Sequence, residues 1–122
     1  MRFAFLAVSG LFLASSASAM SVSTFLEKAN GLKAQGPLAL LSSDYSLLKN
    51  EVRGSMEALR AERLAAVKSG RTPAYCPNEQ AGSMSVGEIM GAMNAVPAPA
   101  RQRTDVKDAL RAHMAQRFPC KG

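Results

Sequence analysis

Residues 45–69, YSLLKNEVRGSMEALRAERLAAVKS, decide the fold class of this chain. The run lacks proline and sets Tyr45, Leu48, Val52, Met56 and Leu59 at the three- and four-residue spacing of one helical face, with charges elsewhere. At 1.5 Å per residue such a helix is about 35 Å long, and its partners must bury the apolar stripe. Arg63 interrupts the stripe, and Leu64 and Val67 resume it at a shifted angle. The last two turns therefore read either as a projecting partner surface or as a solvated helix end, the second being the plainer reading. Ser69-Gly70 closes the run, with glycine in the position just past the C-cap.

Working outward, every neighbouring segment also has helical period, and no stretch alternates β-branched residues as a strand does. Upstream, Thr24 and Glu27 read as a capping box opening a helix over 24–35, ended by Gly36-Pro37. Pro37 can start a short turn through Leu38–Leu41, and Ser42, Ser43 or Asp44 can cap the long helix. Downstream lies an irregular loop, Arg71 to Ser83. Ser85 and Glu88 form a second capping box, opening a helix with Met84, Val86, Ile89, Met90 and Met93 on its apolar side. Val96-Pro97-Ala98-Pro99 ends it. A last helix starts near Thr104, carries Asp105 and Asp108 at its positive end, presents Val106, Leu110 and Met114, and stops at Phe118-Pro119-Cys120. The expectation is an all-α bundle of four to five helices.

The first nineteen residues read as a signal peptide: Met1-Arg2, an apolar run from Phe3 to Leu13, and Ala17-Ser18-Ala19 as the cleavage signal. A run of about eleven apolar residues is too short to span a bilayer, which needs roughly 20, so no stable membrane insertion is expected. Cleavage leaves residues 20–122 as a single domain in the periplasm, across the inner membrane. In that oxidising setting Cys76 and Cys120, the only cysteines, are expected to form a disulfide. Closing a ring of this size contributes about 4 kcal/mol in the chain-entropy account. The chain carries +6, and losing Arg2 from fifteen basic side chains against nine acidic ones leaves +5. Such a charge suits an acidic partner or an anionic surface. Nucleic acid fits less well, since Phe25, Tyr45, Tyr75 and Phe118 are the only aromatic residues after the leader.

Catalysis finds little support in the residues. His113 is the only histidine, and the disulfide would consume both thiols. Glu51, Glu57 and Glu62 interleave with Lys49, Arg53, Arg60 and Arg63 as surface ion pairs do, rather than as an acid/base dyad. No Gly-rich phosphate loop, zinc-spaced histidine pair or calcium loop is present, so no enzyme, metal or cofactor is expected. Met84, Met90, Met93 and Met114, with His113, are soft ligands that copper(I) accepts, but methionines at helical spacing ordinarily fill core gaps. Gly87 and Gly91, one turn apart, favour close helix packing and so the core reading. His113 lies at the edge of the core face.

Two surfaces remain as partner-binding candidates. One is the row Arg103, Lys107 and Arg111 at i, i+4 and i+8, with Arg101 upstream and no acid in the row itself. The other is the polar loop Pro77 to Ser83, whose candidate contacts are Asn78, Glu79 and Gln80. Tethered at its base by the disulfide, that loop reads equally as a recognition surface and as a connector.

The stretch from Tyr75 to Cys120, with "YCP", "GEIM", "VPAPAR" and "VKDALRAHMAQRFPC", resembles the exported all-helical immunity proteins of the Rap/Tai type. The most specific elements are the loop Cys-Pro and the terminal Phe-Pro-Cys. The N-terminal half instead looks like small uncharacterised exported proteins of proteobacteria. The resemblance covers under half of the domain and implies an all-α periplasmic fold with a Cys76–Cys120 bridge. It also implies binding to a toxin, a peptidoglycan amidase effector of type VI secretion, by occluding its active site, and allows a homodimer. The alternative is a periplasmic helical chaperone or stress adaptor without a toxin partner, for which one histidine and nine carboxylates are a meagre titrating set.

Overall fold

A computed structural model describes residues 19–78 and 81–121, so the expected leader lies outside the described residues apart from Ala19. Among the described residues the chain forms four α-helices: α1 (Val22–Gln35), α2 (Ser43–Lys68), α3 (Val86–Asn94) and α4 (Val106–Arg117). Two 3-10 turns, Gly36–Leu41 and Ala98–Ala100, join α1 to α2 and α3 to α4. No helix among the described residues is long and apolar enough to cross a membrane. The fold is the expected all-α bundle.

The helix starts follow local polar chemistry, with one correction. α1 begins two residues earlier than its sequence suggests, because the Ser21 hydroxyl accepts from the Thr24 N–H and so takes the cap role assigned to Thr24. The deciding contacts are distant ones. The Val22 N–H donates to the Thr104 carbonyl at 2.8 Å, and the Val106 N–H donates to the Met20 carbonyl at 2.9 Å. Ser21 and Asp105 therefore form an isolated antiparallel bridge that fixes where both α1 and α4 begin. Beside it, the Met20 N–H donates to Glu51 at 3.3 Å.

Ser42 caps α2 and Ser85 caps α3, each hydroxyl accepting a backbone N–H of the first turn. At the other end of α2, the Arg71 N–H donates to the Ala66 carbonyl and the Gly70 N–H to that of Val67. This double closure requires a left-handed residue, supplied by Gly70 at φ 71°.

The apolar stripes converge on one core. α2 packs on α1 and α4, while α3 packs on α1 and α4 from the other side. Val22, Leu59, Met93, Val106 and Leu110 are fully buried at its centre, with Phe25, Leu48, Met114 and Phe118 around them. Each such large side chain contributes roughly 1.5–3 kcal/mol through burial. The α2 stripe is not buried evenly: Val52 and Met56 are half-buried, and Tyr45 reaches solvent. Leu64 and Val67, the patch beyond Arg63, are exposed. Gly87 and Gly91 are corrected too: both are exposed, and a methyl group at Gly91 would meet nothing within 4 Å. They do not mediate helix packing.

Cys76 and Cys120 are bonded, with Cα atoms 5.0 Å apart. The Cys76 N–H donates to the Phe118 carbonyl at 2.8 Å beside the bridge. The loop before α3 is thereby tied to the end of α4, and the two helices form a closed hairpin.

Candidate functional site

The basic row is split: Arg103 lies in the turn before α4, while Lys107 and Arg111, on the helix, are engaged within the molecule. Glu62 of α2 accepts from Lys107 Nζ at 2.8 Å and from Arg111 Nη2 at 2.9 Å, and Asp108 takes the other arm of Arg111 at 2.6 Å. The hydrogen bonds from Lys107 and then Arg111 hold the Glu62 carboxyl below its ordinary range. The bond to Glu62 in turn pushes the Arg111 guanidinium upward. Sequence spacing shows no acid in this row; the fold brings Glu62 to it from α2. Arg103 stays exposed and donates to the Pro99 carbonyl at 3.2 Å. Arg101 donates to the Val96 and Asn94 carbonyls, closing the end of α3.

In the tethered loop, Glu79 and Gln80 lie outside the described residues. Asn78 is exposed, and its carbonyl accepts from the Ala81 N–H at 3.1 Å. Farther along, Glu88 leaves its expected capping role and reaches α4, where it meets Arg117 at 2.6 Å and His113 at 3.5 Å. His113 thus belongs to a polar cluster joining α3 to α4. Met93 and Met114 fill the core, and Met84 and Met90 pack half-buried against it.

Next to the tethered loop is a feature that the sequence reading passed over, an open hollow of about 350 Å³ between α2 and the segment Tyr75 to Pro77. Arg53, Arg60 and Arg63 line its helical side, while Tyr75, Pro77 and Met114 form much of the rest. Three arginines and a single acidic residue, Glu57, are among its lining residues. The Arg63 guanidinium carbon lies 5.8 Å from the centre of the Tyr75 ring, close enough for cation–π attraction. Its Nε is buried without a hydrogen-bond partner. The signal was present as positions 53, 56, 60 and 63, which share one helical face. It was hidden because Arg53/Glu57 and Glu57/Arg60 also fit ordinary surface pairs.

Chemically, this arrangement can take carboxylates of a protein surface by bidentate guanidinium contacts, with an aromatic ring and a proline as the apolar floor. Disulfide closure holds the loop side of the hollow in place. No family model, no curated protein and no solved structure matches this chain.

Proposed function

We propose that this chain is an exported periplasmic protein-binding domain that inhibits an enzyme, in the manner of the immunity proteins its C-terminal half resembles. On that reading the partner is a peptidoglycan amidase effector. The observation that supports it is the arginine-lined hollow beside the disulfide-tethered loop. Arginine and tyrosine are the residue types that concentrate binding energy at protein interfaces, and a pre-ordered loop lowers the entropy lost on association. An acidic partner surface docks over Arg53, Arg60 and Arg63, with Tyr75 and Pro77 on the loop side. The Arg103, Lys107 and Arg111 row contributes long-range attraction, weakened by its internal carboxylates.

The test uses the oxidised protein as bait against periplasmic extract, beside an Arg53→Glu/Arg60→Glu variant. The expected result is an acidic partner whose capture falls at least about tenfold with the charge reversal. Its murein-hydrolysing activity should be blocked by the wild-type protein and spared by the variant. Equal capture by both proteins, or full hydrolytic activity with wild-type protein bound, would overturn the reading.

A further inference from the structure

A second surface, away from the arginines, has a different chemistry. We propose that the apolar groove enclosed by α1, the Gly36–Leu41 turn, α2 and α3 binds the hydrocarbon tail of a long-chain fatty acid, with Lys33 and Lys49 holding its carboxylate. The groove has a volume of about 450 Å³, within the usual range of small-molecule sites. Phe25 and Leu48 are buried residues in its lining, and Leu32, Val52, Ile89 and Met90 are half-buried ones. Met90 supplies an adaptable wall for a flexible chain.

Its polar side chains narrow the choice of occupant. Apart from Tyr45, the only lining residues with a polar side-chain group are Lys33 of α1 and Lys49 of α2, both exposed. No carboxylate lines it, and neither lysine is ion-paired among the described residues; Lys28, by contrast, is held by Asp44. Two cations edging a hydrocarbon surface complement one anionic head on an apolar tail.

Size narrows it further. A cavity of about 150 Å³ holds a six-carbon ring, so this groove has room for a single chain of roughly 12–18 carbons and not for a two-chain lipid. A second copy of the protein is a poorer match. A two-fold contact centred on the groove would set the same lysine-edged surface on both sides.

The experiment is calorimetric titration of the oxidised protein with dodecanoate below its micelle concentration, with 1-dodecanol as the uncharged comparator. Dodecanoate should bind saturably at one site. Lys33→Ala/Lys49→Ala should weaken dodecanoate at least about tenfold while leaving dodecanol within about twofold, since only the charged contact is lost. Ala39→Trp, which fills the groove from its half-exposed turn, should abolish binding of both with helical content unchanged. Arg53→Glu/Arg60→Glu should leave dodecanoate binding as it is, so this site and the arginine hollow fail or succeed separately. The proposal is overturned by absent saturable binding, by dodecanoate affinity indifferent to the lysine pair, or by binding that survives Ala39→Trp. A dimer in sedimentation that Ala39→Trp dissociates would assign the groove to a second copy and overturn it as well.

Discussion

Without the Glu62 carboxylate, Lys107 and Arg111 would stand one turn apart on α4 with only Asp108 between them and bare positive charge. Glu62→Gln should therefore lower stability, by less than about 1 kcal/mol because the pair is solvent-screened, and the loss should shrink in high salt. The sign with pH follows from the lowered carboxyl value. The pairing stabilises the fold above the ordinary glutamate value of 4.5 and is lost as pH falls through the lower folded-state value. Urea melts across acidic pH should show that increment in the wild type and not in Glu62→Gln. Burial sets a larger contrast between leucines. Leu59→Ala at 1% exposure should cost about 2–5 kcal/mol, whereas Leu41→Ala at 85% exposure should stay within about 0.5 kcal/mol. At this scale the sequence is legible where the cause is local, as with Ser85 capping α3. It misleads where the cause is distant: Thr24 and Ser21 both suit a cap, and the bridge to Asp105 chooses Ser21.

Helix ends and turns carry their own energetics. Gly70→Ala should destabilise by about 1–2 kcal/mol purely through left-handed backbone strain, because an added methyl there has nothing within 4 Å. Equilibrium denaturation checks this, with Gly91→Ala as the control, neutral or stabilising in an exposed helical position. All four helices were legible from apolar period and punctuation, since glycine, proline and serine act within a turn of where they stand. The faces those helices offer were less so. Gly87-Gly91 reads as a packing motif yet faces solvent, and the arginine face of α2 reads as surface pairs yet walls a hollow. Period places residues on a common side of a helix; only the neighbouring elements decide whether that side meets core, water or a partner.

For the whole molecule, the disulfide is the largest single constraint outside the core. Cys76→Ser should cost about 2–5 kcal/mol and lower the melting temperature by more than about 10 °C, and reduction of the wild type should do the same. A melting temperature unchanged by either would contradict this account of stability. The bridge was legible because only one pairing exists, whereas the apolar groove was not: it needs α1, α2, α3 and the Gly36–Leu41 turn assembled together. The contacts of Met20 and Val22 with Val106 and Thr104 have one more consequence. They belt the first residues of the domain to its last helix, so a chain emerging from the ribosome with its N-terminus first cannot fasten the belt until α4 has been made. Closing so long a loop carries a large entropic cost, so this pairing forms late in folding.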